Sequence, residues 1–246
     1  MIERLVLGTG AVAISFALIH IYGYRIRFLH VTPRSYWLSL SGGISVAYVF
    51  VHILPELNEA QHTMELSVPL LTFVEHHIYL LALAGMVGFY GLERLAKQSR
   101  RQNIAEGDKD ITDPGVFWIH IASFTLYNLV IGYLLNYRES TSAHELVLYA
   151  GAIGTHLLVN DHGLYEHHKS LYRHWGRWLL AAAIIVGWVL ANYITIPDVA
   201  VAGIFALLAG SIILNVLKEE LPEERDSNYW MLALGAIIYA LMLLAL

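Results

Sequence analysis

Polar residues interrupt two long apolar stretches of the chain at spacings that suit metal binding. Asn128 lies in one stretch, and His156, Asn160 and Asp161 lie in the next. His156 and Asn160 are four residues apart, so a helix places them on one face, with Asp161 on the adjoining edge. Imidazole, amide and carboxylate groups supply the mixed nitrogen and oxygen donors of a partly hydrated divalent ion. We therefore predict a metal site of these residues, with the Tyr127 phenol as a fifth group.

The same residues also have a structural interpretation. Asn and His side chains commonly hydrogen-bond to each other between membrane helices, and such contacts need no ion. His156 and Asn128 lie near the middle of their apolar stretches, so both are expected near the bilayer centre. Polar groups at that depth cost free energy unless they face partners or a water-filled cavity. Both interpretations therefore predict that these side chains face the protein interior.

The composition indicates that the surrounding elements are membrane-spanning. Of the 246 residues, 57% are hydrophobic and 14% are charged, whereas soluble proteins have about 25% charged residues. This balance excludes a water-soluble globule. The net charge of -5 gives no basic surface, so nucleic acid is not expected as a partner. The chain has no Cys, which excludes disulfides, Cys-ligated zinc and iron–sulfur clusters.

Eight segments have the roughly 20 apolar residues that a membrane-crossing helix needs. We predict an all-α, polytopic membrane protein with a single transmembrane domain over residues 1–246 and the lipid bilayer as its surroundings. The predicted helices cover residues 5–23, 36–54, 69–92, 116–136, 145–166, 178–194, 198–217 and 229–246. The longest connection, residues 94–115, is predicted to be a mobile cytoplasmic loop.

The basic residues predict the orientation of these helices. Thirteen of the 15 Lys and Arg residues fall in the odd-numbered connections, and the other two, Arg4 and Arg138, fall on the opposite side. Under the positive-inside rule, the odd-numbered connections are cytoplasmic and both termini are outside. The expected location is the plasma (inner) membrane.

An internal similarity links the second and seventh segments. Residues 43–56 (GISVAYVFVHILPE) and 210–223 (GSIILNVLKEELPE) align without a gap and share Gly, Val and the sequence Leu-Pro-Glu. The predicted topology runs these segments in opposite directions, as in transporters with inverted repeats. The alternative is that the glycines allow close helix packing and that Pro-Glu ends each span.

Three stretches, SGGISVAYVFVHILPEL, FYGLERL and LAGSIILNVLKEELPEE, resemble the ZIP (Zrt/Irt-like) family of divalent-metal transporters. The resemblance covers nearly the whole chain. It implies a 3+2+3 bundle with inverted repeats, in which the fourth and fifth helices line the path and carry a midplane metal site. It also implies zinc as the transported ion, and the oxygen-rich donors present here suit Mn or Fe as alternatives.

The family's metal motifs are only partly present. The motif His-Asn-x-x-Asp-Gly matches residues 127–132, Tyr-Asn-Leu-Val-Ile-Gly, which keep Asn128 and the Gly. The motif His-Glu-x-Pro-His-Glu matches residues 156–161, His-Leu-Leu-Val-Asn-Asp, which keep the first His and end in Asp161. The chain therefore resembles a distant member with an eroded metal site, which disfavours binding of two metal ions.

Other His and Glu residues form two further candidate groups. At the predicted inner end of the fifth helix, His162, Glu166 and His167 form a candidate exit site for metal. In the third helix, Glu75 and His76 form a candidate outer entrance. Interfacial His residues and helix-to-helix hydrogen bonds are the alternatives for both groups. The histidines at positions 20 and 120 are predicted to be packing or interfacial groups.

Three functions follow from these patterns. The first is ZIP-like transport of a divalent cation, with no enzymatic activity and no resident cofactor beyond a bound Zn, Mn or Fe ion; a homodimer is compatible with it. The second is a membrane protein with the same bundle that has a structural, regulatory or sensor role. The third is a di-iron enzyme that uses the inner His cluster with residues 75–77, although the predicted topology places these groups at opposite ends of the helices.

Overall fold

The fold is entirely helical in the part of the chain that is described. A computed structural model describes residues 2–26, 36–67, 77–107, 110–136, 143–220 and 228–244. Of these residues, 92% are helical and none is in a strand. The predicted all-α class is confirmed.

The described ranges contain nine α-helices. They are α1 (Ile2–Tyr22), α2 (Tyr36–Tyr48), α3 (Leu54–Ser67), α4 (His77–Ala105), α5 (Pro114–Leu134), α6 (Ala143–Leu171), α7 (Arg177–Ala191), α8 (Asp198–Glu220) and α9 (Tyr229–Leu244). A short 3₁₀ turn, Gly23–Arg25, follows α1, and π turns join α2 to α3 (Val49–Ile53) and α6 to α7 (Tyr172–Gly176). Residues 69–76, the beginning of the third predicted segment, lie outside the described residues.

Among the residues that the structure describes, six helical stretches are long and apolar enough to cross a membrane. They are Val6–Arg25, Ser39–Leu66, His77–Ala105, Pro114–Leu134, Ala143–Ala191 and Asp198–Lys218. The apolar helix α9 is shorter, with 16 residues. The length and composition of these helices indicate an integral membrane protein.

The second predicted segment continues beyond its expected end at residue 54. Pro55 was expected to end the helix, because proline lacks an N–H and its ring clashes with the preceding turn. In the structure, a π turn precedes Pro55, and the Leu54 N–H donates to the Val49 carbonyl five residues earlier. This wider turn lets α3 begin at Leu54 and continue to Ser67, so the predicted end was wrong.

The predicted cytoplasmic loop is also mostly helical. Helix α4 continues to Ala105, so residues 94–105 belong to a helix of 29 residues. This stretch is rich in Arg, Leu, Ala, Lys and Gln, which favour helices, and it contains neither Gly nor Pro. The helix ends before Gly107, whose φ of +82° is the left-handed conformation typical of a residue after a helix end. The prediction of a loop from residue 94 was wrong.

The helices group into two compact units. One unit contains residues 1–27 and 91–195, and the other contains residues 28–90 and 196–246. In the first unit, α5 and α7 approach closely at a pair of glycines. A Cβ atom added to Gly132 would lie 2.2 Å from the Ile184 carbonyl oxygen, and one added to Gly187 would lie 2.0 Å from that of Leu129. Only glycine fits these positions without a shift of the helices.

The second unit contains the same glycine contact twice. Between α2 and α9, a Cβ atom on Gly43 would lie 1.9 Å from the Leu232 carbonyl oxygen, and the reciprocal contact is made by Gly235. Between α8 and α4, a Cβ atom on Gly210 would lie 1.8 Å from the Ala82 carbonyl oxygen, with Gly85 reciprocal. The glycines at positions 43 and 210 are the pair matched by the internal alignment, and each makes the same kind of helix contact.

Candidate functional site

The first unit contains a buried polar group formed by three helices. The His20 Nδ1 atom, in the last turn of α1, lies 2.8 and 3.0 Å from the two carboxylate oxygens of Asp161 on α6. The His20 Nε2 atom lies 2.9 Å from the Asn128 Oδ1 atom on α5. The three residues are 1%, 0% and 1% exposed, in that order. An imidazole, a carboxylate and an amide thus form a continuous chain inside helices that are suited to crossing a membrane.

Local packing holds each member of this group in place. The Asn128 Nδ2 atom donates to the Phe124 carbonyl at 2.8 Å, which directs the amide oxygen towards His20. A Cβ atom on Gly23 would lie 2.8 Å from the Leu158 side chain and 3.6 Å from an Asp161 carboxylate oxygen. The absence of a side chain at Gly23 therefore lets the end of α1 lie close to Asp161.

A further polar side chain lies near the carboxylate. The fully buried Tyr172 side chain, where α6 leads into α7, is close to Asp161. Nearby, the Arg177 Nη1 atom donates to the Tyr24 hydroxyl at 3.2 Å and to the Ile21 carbonyl at 3.3 Å. These two hydrogen bonds link the beginning of α7 to the end of α1.

The other predicted ligands form a second group. The Tyr127 hydroxyl lies 2.6 Å from the His156 Nε2 atom, and the Asn160 Nδ2 atom lies 3.0 Å from the same nitrogen. All three side chains are buried, at 3%, 5% and 9% exposure. Here a phenol and an amide lie within hydrogen-bond distance of the same ring nitrogen.

The structure divides the predicted five-residue ligand set because neighbours in sequence point in different directions. Successive residues of a helix are about 100° apart around its axis. Tyr127 therefore joins His156, while Asn128 joins His20, and Asn160 and Asp161 separate in the same way.

Sequence reasoning missed His20, which was expected to be a packing or interfacial group. A carboxylate in an apolar span needs a basic or donor partner, and the predicted set already offered His156 and the amides as such partners. No spacing in the sequence therefore singled out His20, which lies in the first apolar stretch, as the partner of Asp161.

At the end of α6, the predicted exit-site residues pair with other side chains. The Lys169 Nζ atom donates to Glu166 at 2.8 Å, and the His167 Nε2 atom lies 3.2 Å from Glu93 on α4. His162 is half-buried. A backbone kink follows, because Lys169 has a φ of 42° within the stretch of helix. The contact between His167 and Glu93 thus links α6 to α4 near the kink.

A buried chain of hydrogen bonds lies beside these pairs. The Thr112 hydroxyl lies 2.5 Å from the His168 Nδ1 atom, and the His168 Nε2 atom lies 2.9 Å from the His120 Nδ1 atom. The Thr112 N–H also donates to the His167 carbonyl at 3.1 Å. Thr112, in the connection before α5, is therefore hydrogen-bonded to two residues at the end of α6.

The remaining predicted positions concern the outer entrance. Glu75 and His76 lie outside the described residues. The entrance and the di-iron arrangement that uses residues 75–77 both stay predictions. Within the described ranges, no three side chains of the His, Asp and Glu types come together as a metal-binding group. The group around His20 contains two side chains of these types, His20 and Asp161, and its third member is the Asn128 amide.

Comparison with protein families, with curated proteins and with solved structures gives no match. The resemblance to the ZIP family therefore rests on the residues of the chain.

Proposed function

We propose that the protein is a distant relative of ZIP transporters that carries a divalent metal cation across the plasma (inner) membrane. Zinc is the expected substrate, with Mn and Fe as alternatives. The passage follows the polar residues of α5 and α6, together with His20 from α1. This proposal covers transport and no enzymatic reaction.

The observation that carries the proposal is the complete burial of an ionisable pair inside apolar helices. Asp161 and His20 are 0% and 1% exposed, within Ala143–Ala191 and Val6–Arg25. Ionisable residues within membrane helices are costly, and they commonly mark ion pathways or proton relays. Packing alone does not require them, because apolar side chains would fill the same space without the desolvation cost.

The proposed topology has eight spans with both termini outside. The stretch Ala143–Ala191 has 49 residues, which at 1.5 Å per residue is more than twice the bilayer core of about 30 Å. The left-handed backbone at Lys169 supports its division into two spans, α6 and α7. Helix α9, with 16 residues, spans with local thinning of the bilayer. The distribution of Lys and Arg supports the orientation.

The test is uptake of radioactive zinc into liposomes that contain the purified protein. We expect uptake above that of protein-free liposomes, and a fall of about tenfold or more in Asp161→Asn, because the neutral amide no longer balances the cation. The double substitution of His156 and Asp161 by Ala should abolish uptake. The matched control is Asp198→Asn, at the exposed beginning of α8, which should keep normal uptake.

A second candidate function, a structural, regulatory or sensor role, is favoured by one observation. Each residue of the two buried groups has a polar side-chain atom within hydrogen-bond distance of another residue of its group. Such networks also fix the arrangement of helices without any ion. Uptake equal to that of empty liposomes for zinc, manganese and iron, from protein that remains folded, would favour this role over transport.

A further inference from the structure

His20 and His156, both buried, face opposite kinds of partner. The His156 Nε2 atom has two donors near it, the Tyr127 hydroxyl and the Asn160 amide nitrogen. Both ring nitrogens of His20 instead face oxygen atoms of Asp161 and Asn128. The His156 Nε2 atom therefore has hydrogen-bond donors beside it, whereas a hydrogen is needed between each His20 nitrogen and the oxygen that it faces.

The possible hydrogen bonds of His20 show where a hydrogen must lie. An ionised carboxylate only accepts hydrogen bonds, and so does the Asn128 oxygen. The Asn128 amide cannot turn its nitrogen towards His20 without placing its oxygen against the Phe124 carbonyl, to which that nitrogen now donates. A hydrogen must therefore lie between the His20 Nε2 atom and the Asn128 oxygen, 2.9 Å apart. Without it, two lone pairs would face each other there.

We infer that this position is a cation site in which His20 is a direct ligand through Nε2 and Asn128 through its amide oxygen. Two ligands at right angles on an octahedral ion with bonds of about 2.1 Å are roughly 3.0 Å apart, so the observed 2.9 Å suits such an ion as well as it suits a hydrogen bond. The proton between them leaves to water when the cation enters. The inference rests on the proposed transport of a divalent cation, and it names a ligand from α1 outside the predicted set.

Asp161 acts on this site through His20. A metal-binding imidazole usually donates its other N–H to a carboxylate, which fixes the tautomer and makes the ligating nitrogen more basic. The two contacts from His20 Nδ1 to Asp161, at 2.8 and 3.0 Å, have this arrangement. Asp161 is therefore a positioning residue, and its charge also compensates the cation. Imidazole and amide donors with water suit a first-row divalent ion such as Mn, Fe or Zn.

The direct test uses Mn²⁺ bound to the purified full-length protein in detergent. Pulsed electron paramagnetic resonance detects the coupling of Mn²⁺ to a ligating ¹⁴N nucleus. We expect an imidazole coupling in the wild type and its loss in His20→Gln, with affinity about tenfold or more weaker. The matched control is His120→Gln, which removes another buried histidine of the same unit and should keep both the coupling and the affinity.

A gain-of-binding variant guards against misfolding of His20→Gln. Asn128→Asp places a carboxylate where the amide oxygen lies, so Mn²⁺ should bind about tenfold more tightly. An imidazole coupling that persists in His20→Gln, or unchanged affinity in both variants, would overturn the assignment. Absence of Mn²⁺ binding to the wild type would overturn it as well.

Uptake measured on the same variants separates this inference from the proposed function. Wild-type uptake that His20→Gln leaves unchanged would refute His20 as a ligand while transport stands. An imidazole coupling from His20 in a protein that takes up no cation would support the site and refute transport.

Discussion

The His20 Nδ1 atom lies 2.8 Å from the Asp161 carboxylate, although 141 residues separate the two in the chain. Both side chains are buried, so neither exchanges its partner with water without an opening of the helices. This pair links the first and sixth helices of the fold and, through Asn128, the fifth. The contribution of this hydrogen bond to stability can be measured without any cation.

Two substitutions of Asp161 should differ in stability. Asp161→Asn keeps an oxygen that accepts the hydrogen bond from His20, whereas Asp161→Leu leaves the Nδ1 atom buried without a partner. An unsatisfied buried polar group costs about 1–3 kcal/mol. We expect the Leu variant to be less stable than the Asn variant by about this amount, measured by chemical unfolding in detergent micelles. Equal stabilities would show that the hydrogen bond has no net effect on unfolding.

The connection before α5 should loosen when Thr112 loses its hydroxyl. Thr112→Val removes the contact with the His168 Nδ1 atom, which is buried, and leaves that nitrogen without this partner. We expect faster hydrogen exchange of the amides at residues 112 and 113, which corresponds to about 1–3 kcal/mol of local stability.

The control for this experiment is Thr125→Val in α5. The Thr125 hydroxyl donates only to the Ile121 carbonyl within its own helix. Its loss should leave exchange at residues 112 and 113 unchanged. Equal effects of the two substitutions would contradict a specific role for Thr112.

The sequence predicted the helices better than their partners. The apolar segments predicted the all-α class, because the pattern that marks a helix is local, and the division into eight spans stays a prediction. The contact between His156 and Asn160 also follows from local spacing, because residues four apart share a helix face, and the structure places the Asn160 amide nitrogen 3.0 Å from the His156 Nε2 atom. The pairing of His20 with Asp161 depends on how α1 and α6 rotate and pack, which no local spacing determines.

Two helix ends illustrate different limits of the sequence. The extension of α4 to Ala105 was predictable, because residues 94–105 contain helix-favouring residues and no Gly or Pro. The passage of a helix through Pro55 was not predictable from the usual effect of proline. It depends on the π turn Val49–Ile53, which changes the hydrogen-bond pattern just before the ring.

Asp110, which lies outside the apolar segments, should have a measurably lowered pKa. The Arg100 guanidinium donates to both carboxylate oxygens of Asp110, at 2.6 Å for the Nη2 contact. This hydrogen bonding holds the pKa of Asp110 below its ordinary value of 3.8. The stabilisation of the folded protein by this ion pair is therefore present above pH 3.8, and it is lost as the pH falls through the lowered pKa of Asp110.

The measurement is the ¹³C chemical shift of the Asp110 carboxyl group during an acid titration. Arg100→Gln should raise the pKa of Asp110 towards its ordinary value, because the charged donor is gone. Arg101→Gln, at the adjacent exposed position, should leave it unchanged. A pKa that stays equally low in both variants would show that Arg100 is not its cause.

The glycine contacts of the second unit should be sensitive to a single methyl group. A Cβ atom on Gly43 would lie 1.9 Å from the Leu232 backbone oxygen, which cannot move aside without a shift of α9. Overpacking of this kind typically costs about 1–3 kcal/mol. We therefore expect Gly43→Ala to lower the free energy of unfolding by at least the lower end of this range in detergent.

The opposite result is expected for Gly88→Ala in α4, because a Cβ atom there meets no other group within 4 Å. Alanine favours a helix over glycine by about 1 kcal/mol, so this variant should be as stable as the wild type or more stable. Gly210→Ala should behave like Gly43→Ala, since its Cβ atom would lie 1.8 Å from the Ala82 carbonyl oxygen. Matching losses at Gly43 and Gly210 would show that the two aligned segments depend on the same helix contact. A loss at only one of them would mean that the sequence similarity does not extend to their packing energetics.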